Sequence, residues 1–192
     1  MRILVEGKLS LSVSKLTDGD QALTDFLLDR VRYYFKDIRG FRYDEVNVAL
    51  VAASDNLTDV ENRLAAIQAV RPTENFEPLA ASFKRIKNIL RQAEFTGSGE
   101  VDAGILEAGP EAELAQAFEK LRKQVIRFRK KKDYRAALEA IASLRPQVDQ
   151  FFDKVLVNAP DLAVRQNRLT LLSKLFSEFS AIADFSEIIT TQ

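Results

Sequence analysis

An all-α fold, a helical bundle of about six to seven helices, is what this sequence predicts. From residue 20 onward, apolar residues recur at steps of three and four, the period of a helix with one buried face. The runs are interrupted at glycines and prolines, where helices end. The clearest alternation of period two is short: Leu9, Leu11 and Val13 set among Lys8, Ser10, Ser12 and Ser14, a candidate strand. So short a stretch builds no sheet of its own. Residues 1–19 therefore read as an irregular edge segment of a larger protein, and residues 20–192 as one helical domain.

The first helix carries Leu23, Phe26, Leu27, Val31, Tyr34, Phe35 and Ile38 on one stripe and stops at Gly40. Val46, Leu50 and Val51 mark a short second helix. Asp55 or Asn56 can cap a third, whose inner face is Leu57, Val60, Leu64 and Ile67, and Pro72 ends it. A fourth starts near Asn75, tolerates Pro78 in its first turn, and buries Leu79, Phe83, Ile86 and Leu90. Four of the seven glycines fall within residues 94–110 among acidic side chains, which predicts a mobile loop. Pro110 opens a helix with Leu114, Phe118, Leu121, Val125 and Phe128 inward. Tyr134, Leu138, Ile141 and Leu144 line the next, which Pro146 breaks or kinks; Val148, Phe151, Phe152 and Val155 continue the stripe to Pro160. Leu169, Leu172, Phe176 and Phe179 belong to the last helix.

Several chemistries are poorly provided for. The chain has no cysteine and no histidine, which removes disulfides, thiolate metal sites, and the commonest general base and metal ligand. No glycine-rich phosphate loop and no acidic calcium loop is present. There is no apolar run long enough to span a membrane. The lack of cysteine is easiest to reconcile with a cytoplasmic location. Net charge is zero, yet residues 94–119 hold seven acids and no base, while residues 120–135 hold nine bases and one acid. A neutral chain can still present a local positive face, and that field is what a phosphate backbone meets.

The helix over residues 83–91 offers the best physical contact for RNA. Lys84, Lys87 and Arg91 fall on one exposed edge with Asn88 beside them, so cations can track phosphates and an amide can read a base edge. The same pattern also describes a solvated basic face. Arg165 and Arg168 lie one turn apart on the last helix; they can fork onto phosphate, or serve structure. In the structural alternative Asp161 pairs with Arg165, and Asp153 or Asp184 holds Arg168. In the basic run, Phe128 falls on the apolar stripe, and the lysines near a helix C-terminus are favoured there by the dipole. Its contact with RNA backbone, through Arg122 and Arg129 among others, is unspecific. The aromatics Tyr33, Tyr34, Phe41 and Tyr43 cluster at the first turn and are expected to be packed, with Tyr43 as the exposed exception. Carboxylate pairs such as Asp44-Glu45 and Glu111 with Glu113 read as charges favoured at helix N-termini.

Four blocks, in order, carry a family resemblance: Phe26-Leu27-Leu28-Asp29-Arg30-Val31-Arg32-Tyr33-Tyr34 leading to Gly40-Phe41-Arg42-Tyr43-Asp44; Phe83-Lys84-Arg85-Ile86-Lys87-Asn88-Ile89-Leu90; Leu144-Arg145-Pro146-Gln147-Val148-Asp149-Gln150-Phe151-Phe152-Asp153-Lys154-Val155; and Asn167-Arg168-Leu169-Thr170-Leu171-Leu172. Together they span roughly residues 20–185 and resemble the C-terminal part of the beta subunit of bacterial tetrameric glycyl-tRNA synthetase. The departure lies at Val157-Asn158-Ala159-Pro160, a local turn. The resemblance implies a DALR-type anticodon-binding domain and candidate tRNA contacts at Tyr43, Lys84, Arg85, Lys87, Asn88, Arg91, Arg122, Arg129, Arg165 and Arg168. It further implies tRNA-Gly, the alpha subunit and the remainder of the beta subunit as partners, with no membrane or DNA among them. ATP and magnesium would serve the holoenzyme, whose catalytic core sits on the alpha chain; no cofactor and no aminoacylation are expected of this segment alone. A helical protein-interaction module without RNA binding is the alternative.

Overall fold

The computed structural model describes residues 18–53, 56–97 and 99–189, with side chains from residue 22. The candidate strand at residues 9–13, and nearly all of the edge segment, lie outside them. Every element among the described residues is helical: α1 (Asp18–Tyr33), α2 (Tyr43–Ala53), α3 (Leu57–Val70), α4 (Phe76–Gln92), α5 (Pro110–Lys130), α6 (Tyr134–Ala142), α7 (Arg145–Lys154) and α8 (Leu162–Ser180). A 3-10 turn, Phe185–Glu187, follows within a C-terminal strap of residues 184–189. None of the helices is long and apolar enough to cross a membrane. The eighth helix arises at Pro146. It falls in the first turn of α7, where a missing amide costs nothing, so the chain breaks after Ala142 instead of kinking.

The predicted stops and caps have local causes. The Asn56 side chain accepts the Asp59 amide at 3.0 Å to start α3, as predicted, whereas Asp161, expected to pair with Arg165, instead accepts the Val164 amide at 3.0 Å to start α8. Gly40 takes φ +78°, a conformation that penalises a Cβ, and the Phe41 amide donates back to the Phe35 carbonyl at 3.1 Å. Gly109, at φ +97°, turns the chain into Pro110 in the same way.

The first stripe is placed differently from its prediction. Beyond Tyr33 the chain widens into a π turn, Tyr34–Ile38, in which the Arg39 amide reaches the Tyr34 carbonyl at 3.0 Å. That change of winding breaks the predicted stripe. Leu28, Val31 and Phe35 face the core, while Leu23, Phe26, Tyr34 and Ile38 are exposed. The helix α1 packs mainly on the π turn and α2.

One continuous core joins the remaining helices. Its centre is aromatic. The Phe83 ring on α4 lies 5.3 Å from Phe185 and 6.2 Å from both Phe176 and Phe179; Phe118 meets Phe179 at 5.6 Å, and Phe76 meets Phe185 at 5.5 Å. Tilted and edge-on ring pairs at such distances add to the burial of their area.

The acidic glycine-rich loop is tied to α8. Asn167, buried, accepts the Asp102 amide at 2.8 Å and donates to the Asp102 carbonyl at 2.9 Å. Lys174 pairs with Glu100, and Phe95, Val101 and Leu106 pack on the core. The loop expected to be mobile is therefore held at its middle by a two-way amide bond, at a residue the sequence reading left unassigned.

Phe83→Ala should destabilise the chain by about 3–5 kcal/mol. A urea midpoint that falls with an unchanged slope would bear this out; an unmoved midpoint would show that the ring cluster is not the core of the domain.

Candidate RNA-binding groove

A groove of about 560 Å³ runs between α2, α4 and the C-terminal strap. Tyr43 and Asn47 enter from α2, four residues apart and so on one face. From α4 come Lys84, Lys87, Asn88 and Arg91, set outward because Phe83 and Ile86 are fixed inward. Ser186, Glu187, Ile188 and Ile189 form the third wall. Five of the ten predicted contact residues thus meet in one depression, brought together across some forty residues of sequence.

The remaining five do not join them. Arg85 turns away from the groove and stacks over the Phe152 ring of α7 at 4.2 Å. Arg122 pairs with Glu119 at 3.2 Å and Glu178 at 3.6 Å, bracing α5 on α8. Arg129 is exposed near the end of α5, and Arg165 is half-buried at the start of α8. Its predicted partner Asp161 caps the helix instead. Arg168 is inside the fold, 4% exposed. Its guanidinium meets Glu111 at 2.7 and 2.9 Å and Glu107 at 2.7 Å, and donates to the Leu156 carbonyl at 3.0 Å. It holds the loop, the α5 start and the α7–α8 turn together, and so leaves the set of RNA contacts. The strut partners predicted for it, Asp153 and Asp184, give way to Glu111, a carboxylate that the sequence suggested only as a helix-end charge.

Two further buried guanidinium groups anchor the groove walls. Arg71 meets Asp44 at 2.9 Å and Glu45 at 3.1 Å, and donates to the Ile189 carbonyl at 2.9 Å; Asp44 in turn accepts the Ile189 amide at 2.9 Å. Arg63 donates to Asp59 at 2.9 Å and to the carbonyls of Ala181 and Ile182 at 2.9 and 2.6 Å, with its plane 4.3 Å above the Tyr134 ring. Tyr134 donates its hydroxyl to Asp59 at 2.7 Å. The end of the strap at Ile189 and the turn that leads into it after α8 are therefore stitched to the bundle by arginines whose charge is balanced in place.

The electrostatics of the groove are mixed. Lys84 is exposed, with no carboxylate in ion-pair reach among the described residues, and Arg91 donates to Asn88 at 3.3 Å. Lys87 is different: Glu187 lies at 2.7 Å, Ser186 at 3.1 Å and Asp184 at 3.3 Å. Burial alone would lower the Lys87 pKa; the bond to Glu187 and the field of Asp184 outweigh it and hold the ammonium above its usual value. Such an arrangement offers a stacking ring, two amides and free cations at the rim, and suits recognition of a polar, planar, anionic ligand. Among the described residues no cluster of acidic side chains is disposed to hold a metal ion. The strap and Asn47 are the components that sequence reasoning missed, and only Asn47 had a legible hint, its four-residue step from Tyr43.

Residues 79–184 match the DALR anticodon binding domain family. The chain belongs to that family. It is also similar along its length to curated glycine–tRNA ligase beta subunits. That of Acidobacterium capsulatum is 42% identical over 211 residues, covering 100% of this chain and 30% of the relative. That of a Janthinobacterium species is 34% identical over 200 residues, 98% of this chain and 28% of the relative, and that of Anaeromyxobacter dehalogenans is 38% identical over 180 residues, 94% and 25%. The chain thus spans about 30% or less of the length of the relatives it matches. The DALR match takes in α4 from Leu79 through Asp184 in the strap, while Tyr43 and Asn47 precede it.

Two outcomes follow. Arg168→Ala should cost about 3–5 kcal/mol of stability while the folded protein keeps its RNA affinity; a loss of affinity without a loss of stability would return Arg168 to the contact set. The second concerns acid. Burial would raise the Asp44 pKa, but the Arg71 and Ile189 hydrogen bonds and the charges of Arg71 and Arg42 hold it below its ordinary value. A carboxyl depressed in the folded state stabilises above its unfolded pKa and loses that contribution as pH falls through the folded one. The Ile189 amide should accordingly shift by NMR with a midpoint below about 3.9; a midpoint at or above that value would mean the strap is not held by ionised Asp44.

Proposed function

We propose that this chain binds the anticodon region of a tRNA, tRNA-Gly by its relatives, as the anticodon-binding part of a glycine–tRNA ligase beta subunit. The observation that supports it most is the meeting of Tyr43, Lys84, Lys87, Asn88 and Arg91 in one groove. Lys84 and Arg91 at the rim attract phosphate. Tyr43 supplies a face for an unpaired base, and Asn47 and Asn88 each offer a donor and an acceptor to its edge. Arg129 and the neighbouring lysines on α5 add sequence-blind attraction elsewhere on the surface.

On this reading the chain positions tRNA for glycyl-tRNA synthesis carried out with a separate alpha subunit. ATP and magnesium act there, in the cytoplasm, and the rest of the beta subunit is a standing partner. The alternative, a protein-interaction module without RNA binding, draws on one observation: the exposed apolar face of Leu23 and Phe26 on the outer half of α1. The two uses occupy different surfaces, so the groove keeps its assignment.

The test is a titration of the chain against tRNA-Gly and a non-cognate tRNA at two salt concentrations, repeated with Lys84→Ala and Arg91→Ala. Each variant should weaken binding and reduce the slope of log affinity against log salt by about one. Identical affinities and slopes for both variants would remove the groove from the tRNA path.

A further inference from the structure

Beside the groove lies a corner that nothing so far assigns. Tyr33 ends α1, Tyr34 begins the π turn and Tyr43 begins α2, and all three are exposed, at 54%, 43% and 58%. The sequence pattern predicted that two of these rings would be packed; the π turn faces them to solvent. What lies beneath is rigid. Phe35 and Phe41 are buried edge-to-face at 6.2 Å, and Tyr34 stands edge-on to Phe35 at 5.3 Å. The rings are thus presented on a fixed base.

Charge distinguishes this corner from an ordinary apolar patch. Residues 30–43 include five cations, Arg30, Arg32, Lys36, Arg39 and Arg42, and one acid, Asp37. Arg39 donates to the Tyr34 hydroxyl at 3.4 Å and pairs with Glu61 at 2.5 Å; Arg42 stands 3.6 Å from Asp44. Arg39 and Arg42 are themselves exposed; the Arg39–Glu61 pair lies at the surface, where such pairs contribute little, and the buried Asp44 beside Arg42 is also held by Arg71. Tyrosine and arginine are enriched in protein interfaces too, so the mixture alone does not choose a partner; its continuity with the groove through Tyr43 does. Alternating rings and cations are what a single-stranded nucleic acid requires: faces for bases, charges for the backbone between them. Tyr43 belongs to both the corner and the groove, so the two are continuous. The corner also lies outside residues 79–184.

We infer that the corner is a second contact for unpaired RNA, in which Tyr33 and Tyr34 stack the nucleotides flanking the one held in the groove while Arg39 and Arg42 take their phosphates. This rests on the tRNA reading of the groove and extends the path of the bound strand from α4 across α2 to the end of α1.

The experiment uses the whole chain and two ligands: intact tRNA-Gly, and a short single-stranded RNA of its anticodon-loop sequence with bases replaced in turn by the fluorescent analogue 2-aminopurine. Stacking quenches that fluorescence. The unaltered chain should quench at two or more positions, and Tyr33→Ala with Tyr34→Ala should abolish quenching at the flanking ones and weaken binding about tenfold or more. Tyr34→Phe, which keeps the ring and loses the bond to Arg39, should restore the quenching that Tyr34→Ala abolishes. Both tyrosines are exposed, so matching thermal melts will show that the alanine variants are folded. Unchanged quenching and affinity in the alanine variants, with Lys84→Ala still weakened, would overturn the corner and leave the groove standing. Unchanged RNA binding, with lost assembly onto the rest of the subunit, would make the corner a protein contact and overturn it equally. If the unaltered chain binds neither RNA, both readings fall together.

Discussion

Phe83 fixes the orientation on which the groove depends. Its ring is fully buried among Phe176, Phe179 and Phe185, so α4 cannot rotate without opening the centre of the core. Once that face is inward, residues 84, 87, 88 and 91 must face outward, because a helix repeats every 3.6 residues. The same ring draws Phe185, and with it the strap, back over α4. One aromatic side chain thereby sets both the floor and a wall of the groove.

The second constraint is electrical. Arg63, Arg71 and Arg168 are all drawn inside, and an unpaired guanidinium there would cost several kcal/mol. Each is matched by carboxylates and completed by backbone carbonyls. Those carbonyls belong to chain ends and turns, namely the end of α8, the strap and the turn after α7. The arginines therefore do for the irregular segments what the phenylalanines do for the helices. They position backbone that has no apolar face of its own to bury.

This division leaves the working surface free for polar chemistry. Lys87 is absorbed into the strap by Asp184, Ser186 and Glu187, while Lys84 and Arg91 stay at the rim. A groove that is partly neutralised attracts phosphate less than its lysine count suggests, so on the proposed reading more of the discrimination would fall to the ring and amides of Tyr43, Asn47 and Asn88. Long-range attraction then falls to the α5 lysines and arginines, whose field reaches about a Debye length at physiological salt.

How much of this was legible depends on the range of the interaction. Most helix faces from α2 onward, and the cap and stops at Asn56, Gly40 and Pro110, were readable, since they depend on residues close by in sequence. The cationic edge of α4 was readable for the same reason. The inward turn of Arg168 was not, because its partner Glu111 lies 57 positions away and an arginine at helical spacing looks alike on either side of the surface. Nor was the exposure of Tyr33 and Tyr34, which depends on a π turn that no periodicity announces. The sequence by itself determined the helical class, most buried faces from α2 onward and the family; the tertiary structure alone decided which face α1 buries, which cations reach solvent, that Asp184 and Glu187 return to meet Lys87, and that α2, α4 and the strap enclose one groove. Local periodicity is encoded residue by residue, whereas charge pairing and enclosure exist only once distant segments have met.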